Sequence, residues 1–278
     1  MNVNVYNLYS GSEGNATYIG TDDEGFLIDC GKSIGDVIDE LSKLGINPEK
    51  IKAIFITHSH TDHTSAVHAF SQAFGIPVLS NVETLKAITE KKILDPRKSN
   101  LFICEEENVS DNFVLTPFEV LHDVPNQGIV ITMPNGVKVG YATDIAKIDN
   151  DIFENFLDCE IVFIESNYDP DMLAASDRSE ELKDRIRADD TGHITNEMCA
   201  NLCAQLAYNK TKHFILGHLS RECNTEELCR ETFTRIMNDN GFYEGVDYTL
   251  DIANQYSPTV ANTKDIYPLK ETEDNKIV

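Results

Sequence analysis

The chain has 278 residues, of which 41% are hydrophobic and 25% charged, with a formal net charge of −24. This composition suits a soluble α/β protein with a substantial core and excludes a collagen, a coiled coil and a long disordered protein. No run reaches the ~18 apolar residues of a membrane-spanning helix, and the N-terminus lacks a basic segment followed by an apolar run, so we expect a cytoplasmic protein without membrane attachment.

Short apolar runs and turn residues alternate along the first third of the chain, which predicts closely spaced strands and helices. Two segments have helical spacing: Ile34–Leu44, with Ser33 as N-cap and Gly45 just past its end, and Ser65–Phe74. The predicted strands are Val3–Leu8, Ala16–Ile19, Phe26–Ile28, Ala53–Ile56 and Val78–Leu79.

The rest of the chain continues this alternation. Asn196–Leu206, with Thr195 as N-cap, and Glu226–Met237 have helical spacing, and the segment after Tyr256 is predicted to be frayed. The predicted strands are Phe113–Leu115, Glu119–His122, Ile129–Met133, Val137–Ala142, Ile161–Ile164 and His213–Leu216, with an Asn135-Gly136 hairpin turn. Without a repeat or a low-complexity linker, residues 1–278 are predicted to form a single domain.

The cysteines are odd in number and scattered, without a CxxC pair. A disulfide framework is not expected in a chain of this length without a secretory signal, so we expect reduced thiols. The seven cysteines are Cys30, Cys104, Cys159, Cys199, Cys203, Cys223 and Cys229.

The segment Thr57–His63 carries the most specific pattern in the chain. It reads Thr-His-Ser-His-Thr-Asp-His and follows a predicted buried strand. Imidazole and carboxylate groups are ligands for zinc, iron and manganese. His58 and His60 stand two residues apart in an extended stretch, so both side chains point the same way and can converge on one ion. Asp62 and His63, just beyond them, can reach a second ion.

This segment is the HxHxDH signature of the metallo-β-lactamase fold, and the chain is identified as a member of that family. Three further family motifs follow in order: Val120-Leu121-His122-Asp123, Tyr141-Ala142-Thr143-Asp144 and Leu216-Gly217-His218-Leu219. The resemblance implies an α/β fold arranged as a four-layer αββα sandwich. It assigns to one metal ion His58, His60 and His122. It assigns to the other Asp62, His63 and His218, with Asp144 bridging the two.

The resemblance implies two divalent metal ions per chain, drawn from zinc, manganese and iron. Two such ions about 3.5–4 Å apart lower the pKa of a shared water to about 7 and generate a hydroxide nucleophile. Asp62 is expected to be catalytic as well as a ligand, holding that hydroxide. Asp29, in Leu27-Ile28-Asp29-Cys30-Gly31, resembles the family aspartate that orients a ligand histidine. An ordinary turn aspartate fits these residues nearly as well.

Two segments resemble the WalJ/YycJ-type subgroup, bacterial relatives of RNase Z and RNase J. In the first, Ser10-Gly11-Ser12-Glu13-Gly14-Asn15, the hydroxyls and amides offer donors to an anion, although from these residues alone an ordinary hairpin turn is the better explanation. In the second, Gly192-His193-Ile194-Thr195-Asn196, His193 resembles a histidine that protonates the leaving oxygen. A capping-loop histidine without a role is the alternative.

Two further segments match the same subgroup: Glu165-Ser166-Asn167-Tyr168 and Leu219-Ser220-Arg221-Glu222-Cys223-Asn224. Arg221 is a candidate phosphate contact because its planar fork suits phosphate, and a surface ion pair would explain it equally well. The side chains expected to contact substrate are Ser10, Ser12, Asn15, Asn167 and Arg221.

The resemblance implies a metal-dependent phosphodiester hydrolase, a nuclease that acts on DNA from the 5′ end, without an obligate protein partner. The alternatives are a small-molecule or cyclic phosphodiesterase, a thioester or lactam hydrolase, and a metal-binding regulator without turnover. The charge of −24 argues against tight non-specific binding of nucleic acid. Residues 174–190 are slightly acidic overall and are not expected to supply a basic clamp near the substrate entrance.

Overall fold

Two mixed β-sheets lie face to face in the computed structural model, which describes residues 1–104, 107–110, 113–255 and 257–263. The strands of the first sheet are β1 Asn4–Tyr9, β2 Ala16–Gly20, β3 Gly25–Ile28, β4 Ile51–Phe55, β5 Val78–Ser80, β6 Leu101–Ile103 and β14 Thr259–Asn262. Their order is β14-β1-β2-β3-β4-β5-β6. Pairing is antiparallel from β14 to β3 and parallel from β3 to β6.

The second sheet repeats this division. Its strands are β7 Glu107–Ser110, β8 Phe113–Val120, β9 Asn126–Thr132, β10 Lys138–Ala142, β11 Ile161–Glu165, β12 His213–Gly217 and β13 Thr249–Ile252. Their order is β13-β12-β11-β10-β9-β8-β7. Pairing is parallel from β13 to β10 and antiparallel from β10 to β7.

Helices connect the parallel strands and cover the outer face of each sheet. They are α1 Ile34–Lys43, α2 Thr61–Thr64, α3 Val67–Phe74, α4 Val82–Glu90, α5 Asn150–Phe156, α6 Pro170–Ala175, α7 Glu180–Arg187, α8 Asn196–Ala207 and α9 Glu226–Asp239, with a 3₁₀ turn at Pro48–Lys50. Ser33 and Thr195 accept hydrogen bonds from backbone N–H groups of α1 and α8, as predicted N-caps do.

Three apolar layers stabilise this arrangement. Between the sheets, Phe26 of β3 meets Phe113 of β8 edge to face, with ring centroids 5.1 Å apart. Outside the first sheet, residues of α1, α3 and α4 pack on the strands. Outside the second, residues of α5, α8 and α9 do the same. The predicted four-layer αββα sandwich is therefore confirmed.

One predicted element, the strand Glu119–His122, is wrong. Glu119–His122 is not a separate strand, because Phe113–Val120 runs continuously and His122 follows in the next turn. Pro117 lies within this strand and pairs with Ile129 of β9.

The segment after Tyr256 is also more ordered than predicted. Residues Thr259–Asn262 pair antiparallel with Asn4–Asn7 and form the edge of the first sheet. The rest of the predicted frayed tail, residues 264–278, lies outside the described residues. In the described ranges, no helix is both long and apolar enough to cross a membrane.

Candidate metal centre

The candidate ligands lie just past the carboxyl ends of strands from both sheets. His58 follows β4, His122 follows β8, Asp144 follows β10 and His218 follows β12. Parallel neighbouring strands present their carboxyl ends at one edge of a sheet, which is the usual position of a ligand site in an α/β fold. The sandwich therefore brings side chains that are far apart in sequence to a common edge.

Three residues at this edge have left-handed backbone conformations. The φ angles are 59° for Asp29, 56° for Asp144 and 56° for His218. Such values are uncommon for residues other than glycine and tend to occur at functional sites, where the surrounding structure maintains the strain. Each of the three turns the chain at a strand end, so the side chain points into the cluster.

The first group of candidate ligands is His58, His60 and His122, whose ring nitrogens lie within 4.8 Å of one another. His58 is buried, and its Nε2 is 3.1 Å from Nδ1 of His60. The His60 and His122 rings meet at a centroid distance of 5.3 Å. Three converging imidazoles offer nitrogen ligands suitable for zinc.

The second group consists of Asp62, His63 and His218, and it satisfies the same 4.8 Å limit. Asp144 lies between the two groups. Its Oδ2 is 3.2 Å from His63 Nε2, and its Oδ1 is 3.7 Å from His122 Nε2 and 3.6 Å from His218 Nε2. A carboxylate in this position can bridge two ions, as the sequence predicts for Asp144.

Asp29 contacts the His63 ring on the side away from the other candidate ligands and fixes its orientation. Its Oδ2 is 2.7 Å from His63 Nδ1, and it also accepts hydrogen bonds from the backbone N–H and hydroxyl of Thr57, both at 2.9 Å. All three residues are fully buried. This geometry fits the predicted role of Asp29, since a carboxylate on one ring nitrogen fixes the tautomer that leaves the other free for a metal.

The two groups of histidines differ in basicity. Burial lowers the pKa of His58 well below its ordinary value and also lowers that of His122. Burial also opposes protonation of His63 and His218, but neighbouring carboxylates outweigh it. Asp29 and Asp144 hold the pKa of His63 well above its ordinary value, and Asp144 and Glu165 raise that of His218 to about 9.

Glu165 is a site residue to which the sequence analysis assigned no role. Its Oε1 lies 2.7 Å from His193 Nδ1 and 2.9 Å from His218 Nδ1, and the carboxylate is fully buried. Burial raises the pKa of Glu165, but His193 and His218 outweigh it, so this pKa is lowered. An acid directly after the apolar run Ile161–Ile164 was the available signal, because a buried charge at a strand end needs a partner.

Asp123 is a second such residue. Its Oδ1 is 3.2 Å from Nε2 of both His60 and His122, and its Oδ2 forms an ion pair with Arg185 of α7. Asp123 therefore connects the first group of histidines to the helix that borders the site.

The five predicted substrate contacts occupy different positions. Ser10 and Asn15 are buried: Ser10 Oγ accepts a hydrogen bond from the His218 backbone N–H at 2.7 Å, and Asn15 donates its backbone N–H to the Asp62 carbonyl at 2.7 Å. Their placement favours positioning of ligands over contact with substrate.

The other three lie closer to solvent. Asn167 donates to the His218 carbonyl at 2.9 Å, and Ser12 is exposed. Both line a cavity beside His193 and His218. Arg221 forms an ion pair with Glu13 and lies outside that cavity.

Residues 174–190, which were not expected to supply a basic clamp, place two arginines beside this cavity, and each is paired with a carboxylate. Arg178 and Arg185 both line it, together with Leu182 and Ile186 of α7. The net charge of the segment did not reveal this arrangement. The two arginines line the cavity, whereas none of the acids of the segment does.

The residues fit the divalent ions that the fold implies. The described part of the cluster contains buried polar atoms without a hydrogen-bond partner, among them His218 Nε2 and Asp144 Oδ2. Asp144 Oδ2 lies close to His63 Nε2, but the two atoms are not in hydrogen-bonding geometry. Buried polar groups without partners are costly, so these atoms are expected to have ligands. Mixed imidazole and carboxylate donors suit zinc, manganese and iron.

An αββα sandwich with two clusters of histidine and aspartate at its strand ends defines the metallo-β-lactamase class of fold. The chain belongs to the metallo-beta-lactamase superfamily, whose family model matches residues 10–189.

Individual relatives cover nearly the whole chain. Exodeoxyribonuclease WalJ of Streptococcus pneumoniae is 29% identical over 244 residues, which are 87% of this chain and 90% of that protein. Exodeoxyribonuclease YycJ of Bacillus anthracis is 29% identical over 255 residues, 91% and 96% of the two chains. Among solved structures, the metallo-beta-lactamase fold protein YhfI of Bacillus subtilis has a TM-score of 0.68 at 14% identity, with coverage of 94% and 100%.

Proposed function

We propose that the protein is a metal-dependent phosphodiester hydrolase that degrades DNA from an end, with the 5′ end as the expected one. The observation that carries the proposal is the pairing of buried Glu165 with half-buried His193, at 2.7 Å, beside two groups of candidate metal ligands. The relatives named exodeoxyribonuclease, aligned over 87% and 91% of this chain, support DNA as the substrate class.

Two bound divalent ions from among zinc, manganese and iron would polarise the phosphate and lower the pKa of an attacking water. The chain supplies the groups that orient the reactants. Asp62 Oδ2 lies 3.5 Å from His63 Nε2 on a carboxylate that is 27% exposed, so it can also accept a hydrogen bond from that water. Asp29 and Glu165 each engage Nδ1 of a ligand histidine, His63 and His218 respectively, and so orient the other ring nitrogen toward the metal centre.

His193 is the proposed general acid. Burial lowers its pKa, but Glu165 and Asp144 outweigh burial and raise the pKa above the ordinary value, which favours the protonated ring. Glu165 engages Nδ1, which leaves Nε2 for the departing oxygen. An alkoxide is a poor leaving group, so a phosphodiester benefits from such a donor more than a thioester does.

The cysteines fit action in a reducing compartment. All seven are buried thiols outside any disulfide, and we expect the enzyme to act in the cytoplasm.

The proposal is tested with purified full-length protein, internally labelled single- and double-stranded DNA and RNA, and bis(p-nitrophenyl) phosphate, with manganese or zinc. Asp62→Asn is the matched inactive variant, because it keeps the size of the side chain and removes its charge. We expect metal-dependent shortening of DNA from an end that this variant loses. Hydrolysis of the small ester with every polynucleotide intact would replace the proposal by a small-molecule phosphodiesterase, which the net charge of −24 also suits.

A further inference from the structure

Each group of candidate metal ligands is shared between the two sheets. The segment Thr57–His63, after β4 of the first sheet, supplies two members of each group. The second sheet supplies the third, which is His122 in one group and His218 in the other. Asp144, between the groups, also follows a strand of the second sheet. The separation of the ligands therefore depends on how the edges of the two sheets are held together at this point.

Asn126 and Gln127, the first two residues of β9, connect the second sheet to the first. The Gln127 backbone N–H donates to the Thr57 carbonyl at 3.2 Å. Its side-chain Nε2 donates to the Ile56 carbonyl at 3.2 Å and to the Ser80 hydroxyl at 2.9 Å. Ser80 in turn donates to the Ile56 carbonyl at 2.6 Å. Gln127 is thus attached to the carboxyl ends of β4 and β5, at the start of the ligand segment.

Asn126 makes the corresponding contacts within the second sheet. Its Nδ2 donates to the carbonyls of Thr143 and Asp144, both at 3.0 Å, and its Oδ1 accepts from the Gln127 N–H at 2.8 Å. The backbone pairing of β9 with β10 ends at Tyr141, so the side-chain amide satisfies two carbonyls beyond the last pair. Asp144 has a φ of 56°, and such a conformation persists only where surrounding contacts maintain it.

The two amides form a closed, buried network. Asn126 and Gln127 are only 3% and 4% exposed. Each side-chain NH₂ group has two protons, and each contacts two acceptors of the protein, so no donor of either group remains for a ligand. Fully satisfied buried networks of this kind rigidify their surroundings. Because the two residues are adjacent, a displacement of Thr57 is transmitted to the backbone of Asp144.

We propose that Asn126 and Gln127 are positioning residues that set the separation of the two metal ions. Gln127 fixes the start of the ligand segment of the first sheet, and Asn126 fixes the backbone of Asp144, the candidate bridging carboxylate. The proposal rests on the binuclear centre of the proposed function and names two residues outside the ligand set on which that centre depends.

The test uses manganese-loaded protein, because two Mn²⁺ ions that share a bridging carboxylate give an exchange-coupled electron paramagnetic resonance spectrum. Gln127→Met and Asn126→Leu remove the amides and keep the shape of the side chains. Ser80→Ala is milder and removes one partner of Gln127. Thr211→Val is the matched control, because the buried Thr211 hydroxyl donates to the Cys159 carbonyl at 2.8 Å, before the amino end of β12 and far from the ligands.

We expect the wild type and Thr211→Val to bind two Mn²⁺ ions with the same coupled spectrum. In Gln127→Met and Asn126→Leu the coupling should weaken, and kcat should fall about 10- to 100-fold, the usual effect of replacing a group that orients metal ligands. KM should change little, because the amides have no donor left for the substrate. Ser80→Ala should show the same changes on a smaller scale. Urea unfolding of the metal-free proteins measures the loss of stability in each variant.

A coupled spectrum identical to that of the wild type in all three variants would overturn the proposal. An equal loss of coupling in Thr211→Val would also overturn it, because the effect would then follow from stability alone. So would a wild type without a coupled pair of ions. If the two amide variants do not fold, Ser80→Ala decides between these outcomes. Weakened coupling in the variants, with no phosphodiester cleaved by the wild type, would support the positioning role and overturn the hydrolytic function.

Discussion

Glu165 Oε1 lies 2.7 Å from Nδ1 of His193, so a carboxylate at the end of a buried strand controls the protonation of an imidazole at the mouth of the site. The same oxygen lies 2.9 Å from Nδ1 of His218. One carboxylate therefore serves both the proposed acid and a candidate metal ligand, and substitutions can separate the two roles.

His193→Ala removes the proposed acid without touching a candidate ligand of either group. We expect kcat on DNA to fall about 10²- to 10⁴-fold, the usual contribution of general acid catalysis, with the metal content unchanged. The check is steady-state kinetics together with metal analysis by mass spectrometry. Loss of metal in this variant would show that His193 acts as a ligand instead.

Glu165→Gln should change both kinetics and metal binding. Glu165 is among the groups that raise the pKa of His193, so its neutralisation lowers that pKa. The acid must be protonated to act, and activity falls as pH rises through its pKa. The alkaline limb of the pH–rate profile should therefore move to lower pH. An unchanged limb together with reduced metal content would restrict Glu165 to holding His218.

Metal affinity should depend on pH differently at the two groups of ligands. In the metal-free protein His58 and His122 have lowered pKa values and are neutral at pH 7, whereas His63 and His218 have raised ones, about 9 for His218. Since a proton and a metal compete for the same imidazole, affinity at the second group should rise with pH until about pH 9.

The two affinities can be measured separately by competition with a chromophoric chelator between pH 6 and 9. His218→Ala leaves the first group intact, and its affinity should be nearly constant above pH 7. His122→Ala leaves the second group, and its affinity should rise by up to about tenfold per pH unit for each proton released. Equal slopes for the two variants would contradict the assignment.

Gly31→Ala should disrupt the metal centre through packing alone. A Cβ at this position would lie 1.6 Å from the backbone oxygen of Asp62, which also accepts a hydrogen bond from the Asn15 N–H at 2.7 Å. The loop Thr57–His63 would have to shift. We expect loss of metal and destabilisation of about 1–3 kcal/mol, measured by urea unfolding.

Gly35→Ala is the matched control for this substitution. Gly35 lies in the exposed first turn of α1, and a Cβ there meets only the Ser33 hydroxyl at 3.9 Å. It should stabilise the protein by about 0.5–1 kcal/mol, because alanine loses less conformational entropy than glycine in a helix. Metal content should remain that of the wild type. An intact metal centre in Gly31→Ala would refute the close-contact explanation.

The cysteines should be unreactive in the native protein. All seven are buried thiols outside any disulfide, and burial raises the pKa of Cys159 and of Cys229 to about 12. Thiolate is the reactive form. A disulfide-exchange reagent should label no cysteine rapidly before unfolding and seven after it. Fewer than seven in guanidinium without reductant would indicate a disulfide.

Much of the fold was readable from local patterns. The run Ile34–Leu44 shows helical spacing with a cap at each end, and Phe26–Ile28 and Ala53–Ile56 are apolar because parallel strands are buried on both faces. The strand Thr259–Asn262 was missed, because it is stabilised by pairing with a segment at the opposite end of the chain. Short helices such as Asn150–Phe156 contain too few turns for periodicity to show.

The site divides in the same way. The candidate ligands within Thr57–His63 lie close together in sequence, so the pattern of histidine and aspartate alone predicts them. Asp123 and Glu165 lie within the quoted motifs, but their roles depend on contacts with Arg185 and with His193 and His218, which only the fold brings near. Arg178 and Arg185 were masked by the acids around them, because a segment's charge does not reveal which side chains face inward.

The left-handed backbone at Asp29, Asp144 and His218 restricts which residues can replace them. Side chains that tolerate this region are glycine, asparagine, aspartate and histidine, whereas β-branched residues are excluded by their own bulk. Aspartate and histidine therefore meet two requirements at these positions: they tolerate the backbone conformation and they can bind or orient a metal ligand. In a relative that has lost hydrolytic activity, we expect glycine or asparagine at these positions. Either residue would keep the left-handed turn at the strand end without supplying a metal ligand.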